Sequence, residues 1–164
     1  MTPSNGLCRE ELELFESLRS RGVFSGDMYD YVSKAEVAIH KLVRAILERA
    51  LGAGENGWWR EGIPVSVREK CASRRELDEH PSEHPYTYTT LIELSTIMST
   101  KWELFQGRVP SPYPTNRKQL ETDLRRLNGI RNAVMHPVKE RKWTEDDFEF
   151  VRRISRQFKS AQAS

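Results

Sequence analysis

The chain has 164 residues, 37% of them apolar and 30% charged, enough for one domain with its own core and too mixed for a disordered or membrane-embedded class. No apolar run approaches the roughly 20 residues that cross a bilayer. The opening Met1-Thr2-Pro3-Ser4-Asn5-Gly6 lacks the basic and apolar stretches of a secretory signal, so a cytoplasmic setting with no membrane partner is expected.

The net charge of +2 conceals an asymmetry. From Arg117 onward there are twelve Lys and Arg against seven Asp and Glu; before it there are fourteen against seventeen. A basic C-terminal segment is compatible with a polyanionic partner, and equally with a solvated helix surface. The two cysteines, Cys8 and Cys71, are too few and too scattered for a disulfide scaffold and are expected as reduced thiols.

In chain order, Leu12, Phe15 and Leu18 predict a short helix over Arg9–Arg21, punctuated by Gly22 and Gly26. Val32, Ala35, Ile39, Leu42, Val43 and Ile46 recur every three or four residues and predict a long helix from about Asp27 to Leu51, stopped by Gly52 and Gly54. The next six residues, Gly52-Ala53-Gly54-Glu55-Asn56-Gly57, spell the letters of a dinucleotide fingerprint. That motif needs a strand before it and a helix opening after it, and here a helix precedes and Trp58-Trp59 follow, so a loop anchored by the two tryptophans is expected instead.

A short helix over Val65–Leu77 starts after Pro64, and Asp78–Pro85 reads as a loop. Tyr88, Leu91, Ser95, Met98, Trp102 and Phe105 form one core-facing stripe. Three prolines break the chain over Gly107–Pro114. Leu120, Leu124, Leu127, Ile130 and Val134 mark the next helix, which Pro137 ends near His136. Thr144 is an N-cap for the last helix, with Trp143 and Phe148 at hydrophobic-staple spacing and Val151, Ile154 and Phe158 on its buried face. No segment alternates as a strand would. The expectation is an all-α, antiparallel four-helix-type bundle with one or two extra short helices.

At roughly 100° per residue, Arg131 falls within the apolar arc of the Arg117–His136 helix. A guanidinium there is costly unless it is paired or sits at an interface. Asn128, Asn132 and His136 follow one another at intervals of four on the neighbouring arc, with Arg125 nearby. His136 ends the helix, where the dipole favours positive charge, and an imidazole can move a proton near pH 7. An arginine can neutralise a phosphate through two parallel hydrogen bonds. Such a pair has the chemistry for metal-free RNA cleavage. The spacing alone fits equally an Arg131 ion-paired with Glu36 or Asp123 and a His136 that only caps its helix.

The hexapeptide Arg131-Asn132-Ala133-Val134-Met135-His136, preceded by Leu127-Asn128-Gly129-Ile130 and followed by Pro137, resembles the signature of the HEPN superfamily. A second stretch supports the likeness: Glu36 to Leu51, then Gly57-Trp58-Trp59, then Ile63-Pro64-Val65 and Arg68. That order is similar to the branch found at the C-terminus of a eukaryotic nuclear mRNA-surveillance endonuclease and in bacterial proteins. The resemblance spans about residues 27–160, leaving 1–26 as a short helix and linker and 161–164 as a disordered tail.

The resemblance implies a homodimer in which two motifs form one composite site. It further implies a metal-independent endoribonuclease leaving a 2′,3′-cyclic phosphate and a 5′-hydroxyl, of the kind that serves as a toxin or phage-defence effector, with an antitoxin or operon partner. Arg131 and His136 carry over as the catalytic pair and Asn132 as the residue that orients them. Asn128, Arg125 and Glu36 are the candidate RNA-binding residues. His40 and Arg44 follow Glu36 at helical spacing and are expected on a plain surface face. No cofactor is expected: Cys71, His80 and His84 offer three zinc donors but no fourth, on a proline-bounded loop.

Overall fold

The computed structural model describes residues 9–136, 138 and 143–162, with side chains over that range apart from 14–26. Its seven α-helices are α1 (Arg9–Leu51), the single turn α2 (Arg60–Gly62), α3 (Val65–Glu76), α4 (Leu91–Thr100), α5 (Trp102–Phe105), α6 (Arg117–Met135) and α7 (Glu145–Gln162). Among the described residues there is no strand, and no helix is long and apolar enough to cross a membrane.

The spine is α1. Met28, Val32, Ala35, Ile39, Leu42, Val43, Ile46 and Leu47 bury one continuous face of it. Where two helices separated at Gly22 and Gly26 were expected, the chain runs as one. A glycine costs about 1 kcal/mol within a helix and does not by itself end it. At the other end Gly52 adopts φ 97°, a left-handed conformation open to glycine, and its N–H returns to the Glu48 carbonyl at 2.9 Å.

The chain then doubles back. A π-turn over Glu55–Trp59 drives Trp58 and Trp59 into the core, so the expected tryptophan anchor is present. Arg44 of α1 covers the Trp58 ring, its guanidinium carbon 4.5 Å from the centroid. The chain returns through α3 and a 3₁₀ turn over Pro85–Tyr88, where the Tyr86 hydroxyl donates to the His40 carbonyl at 2.6 Å. This excursion brings α4 in at the level of Glu36 rather than at the end of α1.

The stripe from Tyr88 to Phe105 is divided among three elements instead of one helix. Thr90 opens α4 with a capping box to Glu93. Lys101, at φ −112° and ψ 36°, separates α4 from α5. The hydroxyls of Thr96 and Thr100 donate back to the carbonyls of Ile92 and Thr96, a competition that weakens and bends a helix end.

Helix α6 buries Leu120, Leu124, Leu127 and Ile130, and runs antiparallel to α4: Ser99 bonds Glu121 while the start of α4 lies beside Asn128 and Arg131. Beneath it, the Tyr113 hydroxyl donates to the buried Asp123 carboxylate at 2.6 Å. The helix ends at Met135, and His136 takes φ −128° and ψ 70°, outside the helical region that a following proline disfavours.

Helix α7 opens as expected. The Thr144 hydroxyl accepts from the Asp147 N–H at 3.0 Å, and the Thr144 N–H donates back to the Asp147 carboxylate at 3.3 Å. Trp143 and Phe148 both pack against the core. The helix runs in the same sense as α1, with Phe148 edge-on to Tyr31 and Gln162 bonded to the Ala38 carbonyl. Ala161 and Gln162 therefore belong to the helix rather than to a tail; the last two residues lie outside the described range.

The loop after α1 supplies a test of this packing. A Cβ on Gly57 would sit 2.2 Å from the Leu51 carbonyl oxygen and 2.9 Å from that of Gly52, both backbone atoms of the helix end. Gly57→Ala is expected to cost about 1–3 kcal/mol, read as a lower urea midpoint at unchanged slope. Gly54→Ala, which meets nothing within 4 Å, should stay within about 0.5 kcal/mol of the parent.

Candidate functional site

The apolar stripes of α1 and α6 meet along the core, and Glu36 and Arg131 stand at their lateral edges, beside fully buried neighbours. The Arg131 Nε lies 3.6 Å from the Glu36 carboxylate, and both side chains are half-buried. That separation is an ion pair but not a hydrogen bond. The nearest hydrogen bond of the guanidinium is a long one, Nη1 to Asn132 Oδ1 at 3.4 Å. Its Nε is buried and has no hydrogen-bond partner. Leaving such a donor unsatisfied costs about 1–3 kcal/mol. The guanidinium is thus held in place by charge while most of its donors remain uncommitted.

Arg131, Asn132, Asn128 and Glu36 line one cavity of about 470 Å³ between α1, α6 and the start of α4. The opposite wall is Thr87, Thr89 and Thr90, together with Arg74. Arg74 donates to the Tyr88 carbonyl at 3.0 Å and to the Glu93 carboxylate, and this pairing holds the Glu93 carboxyl below its usual range against the opposing effect of burial. The site therefore has hydroxyl and amide groups on two sides and two guanidiniums across it.

Four of the six candidate residues come together here. Arg125 is exposed and lies outside the cavity lining, as does His136. His136 is exposed at the C-cap of α6, five residues beyond Arg131. Near it in the chain, Met135 is 37% exposed and Val138 is 91% exposed, so apolar side chains flank His136 that the described residues leave largely open. Asp123, the other carboxylate expected within reach of Arg131, is taken instead by Tyr113, Gln119 and Arg153.

Sequence spacing gave no route to Arg74 or the threonines, which lie forty or more residues from Arg131 and reach it only through the doubled-back path of the chain. One local signal was available: Thr90-Leu91-Ile92-Glu93 is a capping-box pattern that fixes where α4 begins.

The expectation that His40 and Arg44 form a plain surface face is corrected. His40 is half-buried and edge-on to Tyr86, with ring centroids 5.4 Å apart. Arg44 stacks on Trp58 and donates to Glu48 at 2.8 Å. Ser33, Glu36, His40 and Thr87 line a second cavity of about 460 Å³ that shares Glu36 and Thr87 with the first.

The zinc donors are held in separate networks. Cys71 is buried with its Sγ 3.5 Å from the Thr89 hydroxyl, and burial pushes its thiol up. His84 accepts from the Tyr86 N–H and meets Glu55 at 2.6 Å. Among the described residues no group of three or more His, Cys, Asp or Glu is placed to hold a metal ion.

Burial holds the His40 imidazole below its ordinary range, opposed by the Glu36 charge and by a backbone hydrogen bond at Thr89. A histidine of this kind binds its proton more tightly in the unfolded chain. Its contribution to stability is present above the ordinary imidazole range and lost as pH falls through the lowered one. Melting temperature should therefore drop between about pH 7.5 and 5 more steeply in the parent than in His40→Gln. Parallel curves would rule out His40 as the source.

Comparisons with family models, with curated proteins and with solved structures return no match to this chain.

Proposed function

We propose that the chain is a HEPN-type, metal-independent endoribonuclease that acts as a homodimer. The observation that carries this reading is the state of Arg131. Its guanidinium is fixed in a polar cavity, its donors are largely uncommitted, and it lies one and a half turns from an exposed histidine at the end of the same helix. A guanidinium in that condition suits a phosphate, whose oxygens accept from the planar fork in pairs.

In the proposed reaction a neutral His136 imidazole takes the proton of the ribose 2′-hydroxyl. The 2′-oxygen attacks phosphorus and the bond to the 5′-oxygen breaks. The His136 imidazolium of the second protomer supplies a proton to that leaving oxygen. The products are a 2′,3′-cyclic phosphate and a 5′-hydroxyl. Arg131 offsets the charge that accumulates on the non-bridging oxygens, and Asn132, through its contact with Arg131 Nη1, orients the fork. Asn128 and Arg125 provide further polar and cationic contacts to the strand. Met135 and Val138, exposed among the described residues on either side of His136 in the chain, are the surface a second copy would bury. A toxin or phage-defence role, restrained by an antitoxin or operon partner, accords with such an activity.

A second reading is a HEPN module without catalysis, used for RNA or nucleotide binding or as a dimerisation adaptor. The proximity of Glu36 favours it, because a carboxylate beside the arginine competes with phosphate.

Mixed RNA and tRNA incubated with the protein in EDTA should be cut to fragments ending in cyclic phosphate. Arg131→Ala and His136→Ala should each slow this by roughly a hundredfold or more. Salt-sensitive binding of the same RNA with no cleavage by the parent would select the second reading; cleavage that survives both substitutions would reject both site residues.

A further inference from the structure

On the far side of α1 lies a groove of about 1040 Å³ between α1, the α5 region with the loop after it, and α7. Ala45, in its wall, is roughly 180° around α1 from Glu36 at about 100° per residue. The groove is therefore separate from the Arg131 cavity.

Its floor is aliphatic, built from Leu42, Ile46 and Val109 with Leu104 beside them. Its rim carries Arg49, Arg108 and Arg156, against the single carboxylate of Glu103. Among the described residues none of these three arginines forms an ion pair or a side-chain hydrogen bond. Elsewhere several arginines are taken up, Arg44 by Glu48, Arg74 by Glu93, Arg126 by Asp146 and Asp147, Arg152 by Glu149, while Arg60 and Arg125 stand singly on the surface without a partner among the described residues. Gln157, in the same groove, uses its Nε2 on the Ser111 carbonyl and leaves its Oε1 buried without a partner.

We infer that this groove receives an acidic, amphipathic helix of a protein partner. The aliphatic floor accepts apolar anchors spaced one turn apart, the uncompensated arginines pair with carboxylates flanking those anchors, and the orphan Gln157 oxygen accepts from a donor on the incoming segment. A single-stranded nucleic acid would also meet the arginines. It lacks here the aromatic platforms on which bases stack, since no Phe, Tyr, Trp or His lines the groove. The inference stands whether or not the chain cleaves RNA.

Three fluorescent probes test it by anisotropy on the full chain. One is a model helix of about 16 residues with leucines at i, i+3, i+7 and glutamates on the flanks, the second carries lysines in place of the glutamates, and the third is an oligouridylate of similar length. The glutamate helix should bind in a salt-sensitive way. The triple reversal Arg49→Glu, Arg108→Glu, Arg156→Glu should weaken it at least roughly tenfold and shift preference to the lysine helix. All three side chains are exposed, and circular dichroism checks that the fold persists. Should the triple variant melt early, Ala45→Glu, a single exposed acid inside the groove, should weaken the glutamate helix in the same sense. No binding of the glutamate helix, binding unaffected by these changes, or tighter binding of the oligouridylate lost on reversal would each overturn the inference, the last in favour of a nucleic-acid surface.

Discussion

The burial of one apolar face of α1 is the constraint from which the rest of the structure follows. A helix of 43 residues cannot hide that face alone, and α4, α6 and α7 are each fixed by what they cover of it. Hydrophobic area orders the bundle, but it does not extend to the edges of the stripes. At those edges of α1 and α6, Glu36 and Arg131 replace aliphatic neighbours, and the space between them is polar instead of packed. The cavity is thus a consequence of where the two stripes have their edges, and its charge is set by which residues stand at that boundary.

The arginines of this chain divide into two groups. Those that serve the fold are satisfied: Arg74 bridges the Tyr88 carbonyl and Glu93, Arg126 joins α6 to the first turn of α7 and covers Phe150, and Arg44 lies on Trp58. Among the described residues Arg49, Arg60, Arg108, Arg125 and Arg156 form neither an ion pair nor a side-chain hydrogen bond; Arg49, Arg108 and Arg156 stand together around the large groove, and Arg131 keeps donors to spare in the small cavity. Exposed cations add little to stability, so the grouping around one groove accords better with a ligand than with folding. The two places lie on different sides of α1, and the lining of each differs in kind. One is walled by hydroxyls and amides, suited to phosphate and ribose; the other is floored with aliphatic side chains, suited to a protein.

Much of the fold was legible because it depends on local periodicity and capping. The α1 and α6 stripes, the Gly52 stop, the tryptophan anchor, the Thr144 cap and the end of α6 before Pro137 each depend on residues within a turn or two of one another. The errors share a different cause. Gly22 and Gly26 suggested a break, yet glycine only weakens a helix, and α1 continues through both. Thr96 and Thr100 look like ordinary helix residues until their hydroxyls turn onto the backbone at the end of α4. His40 and Arg44 seemed to face solvent because the elements that cover them, the Trp58 turn and Tyr86, arrive from distant sequence. The candidate site divides along the same line. The spacing within α6 and the reach to Glu36 were readable, whereas Arg74 and the threonine wall depend on the doubled-back path between α1 and α4.

In the proposed function a pair of α6 ends encloses one scissile linkage, each end contributing a guanidinium and an imidazole. Mixing parent chains with an excess of inactive Arg131→Ala/His136→Ala chains, after mild dissociation and reassociation, tests this with a single activity measurement. A centre that needs a histidine from each protomer is broken in the mixed dimer, so RNA cleavage per parent chain should fall steeply as the inactive chain is added. Cleavage that stays proportional to the amount of parent chain would contradict a composite site.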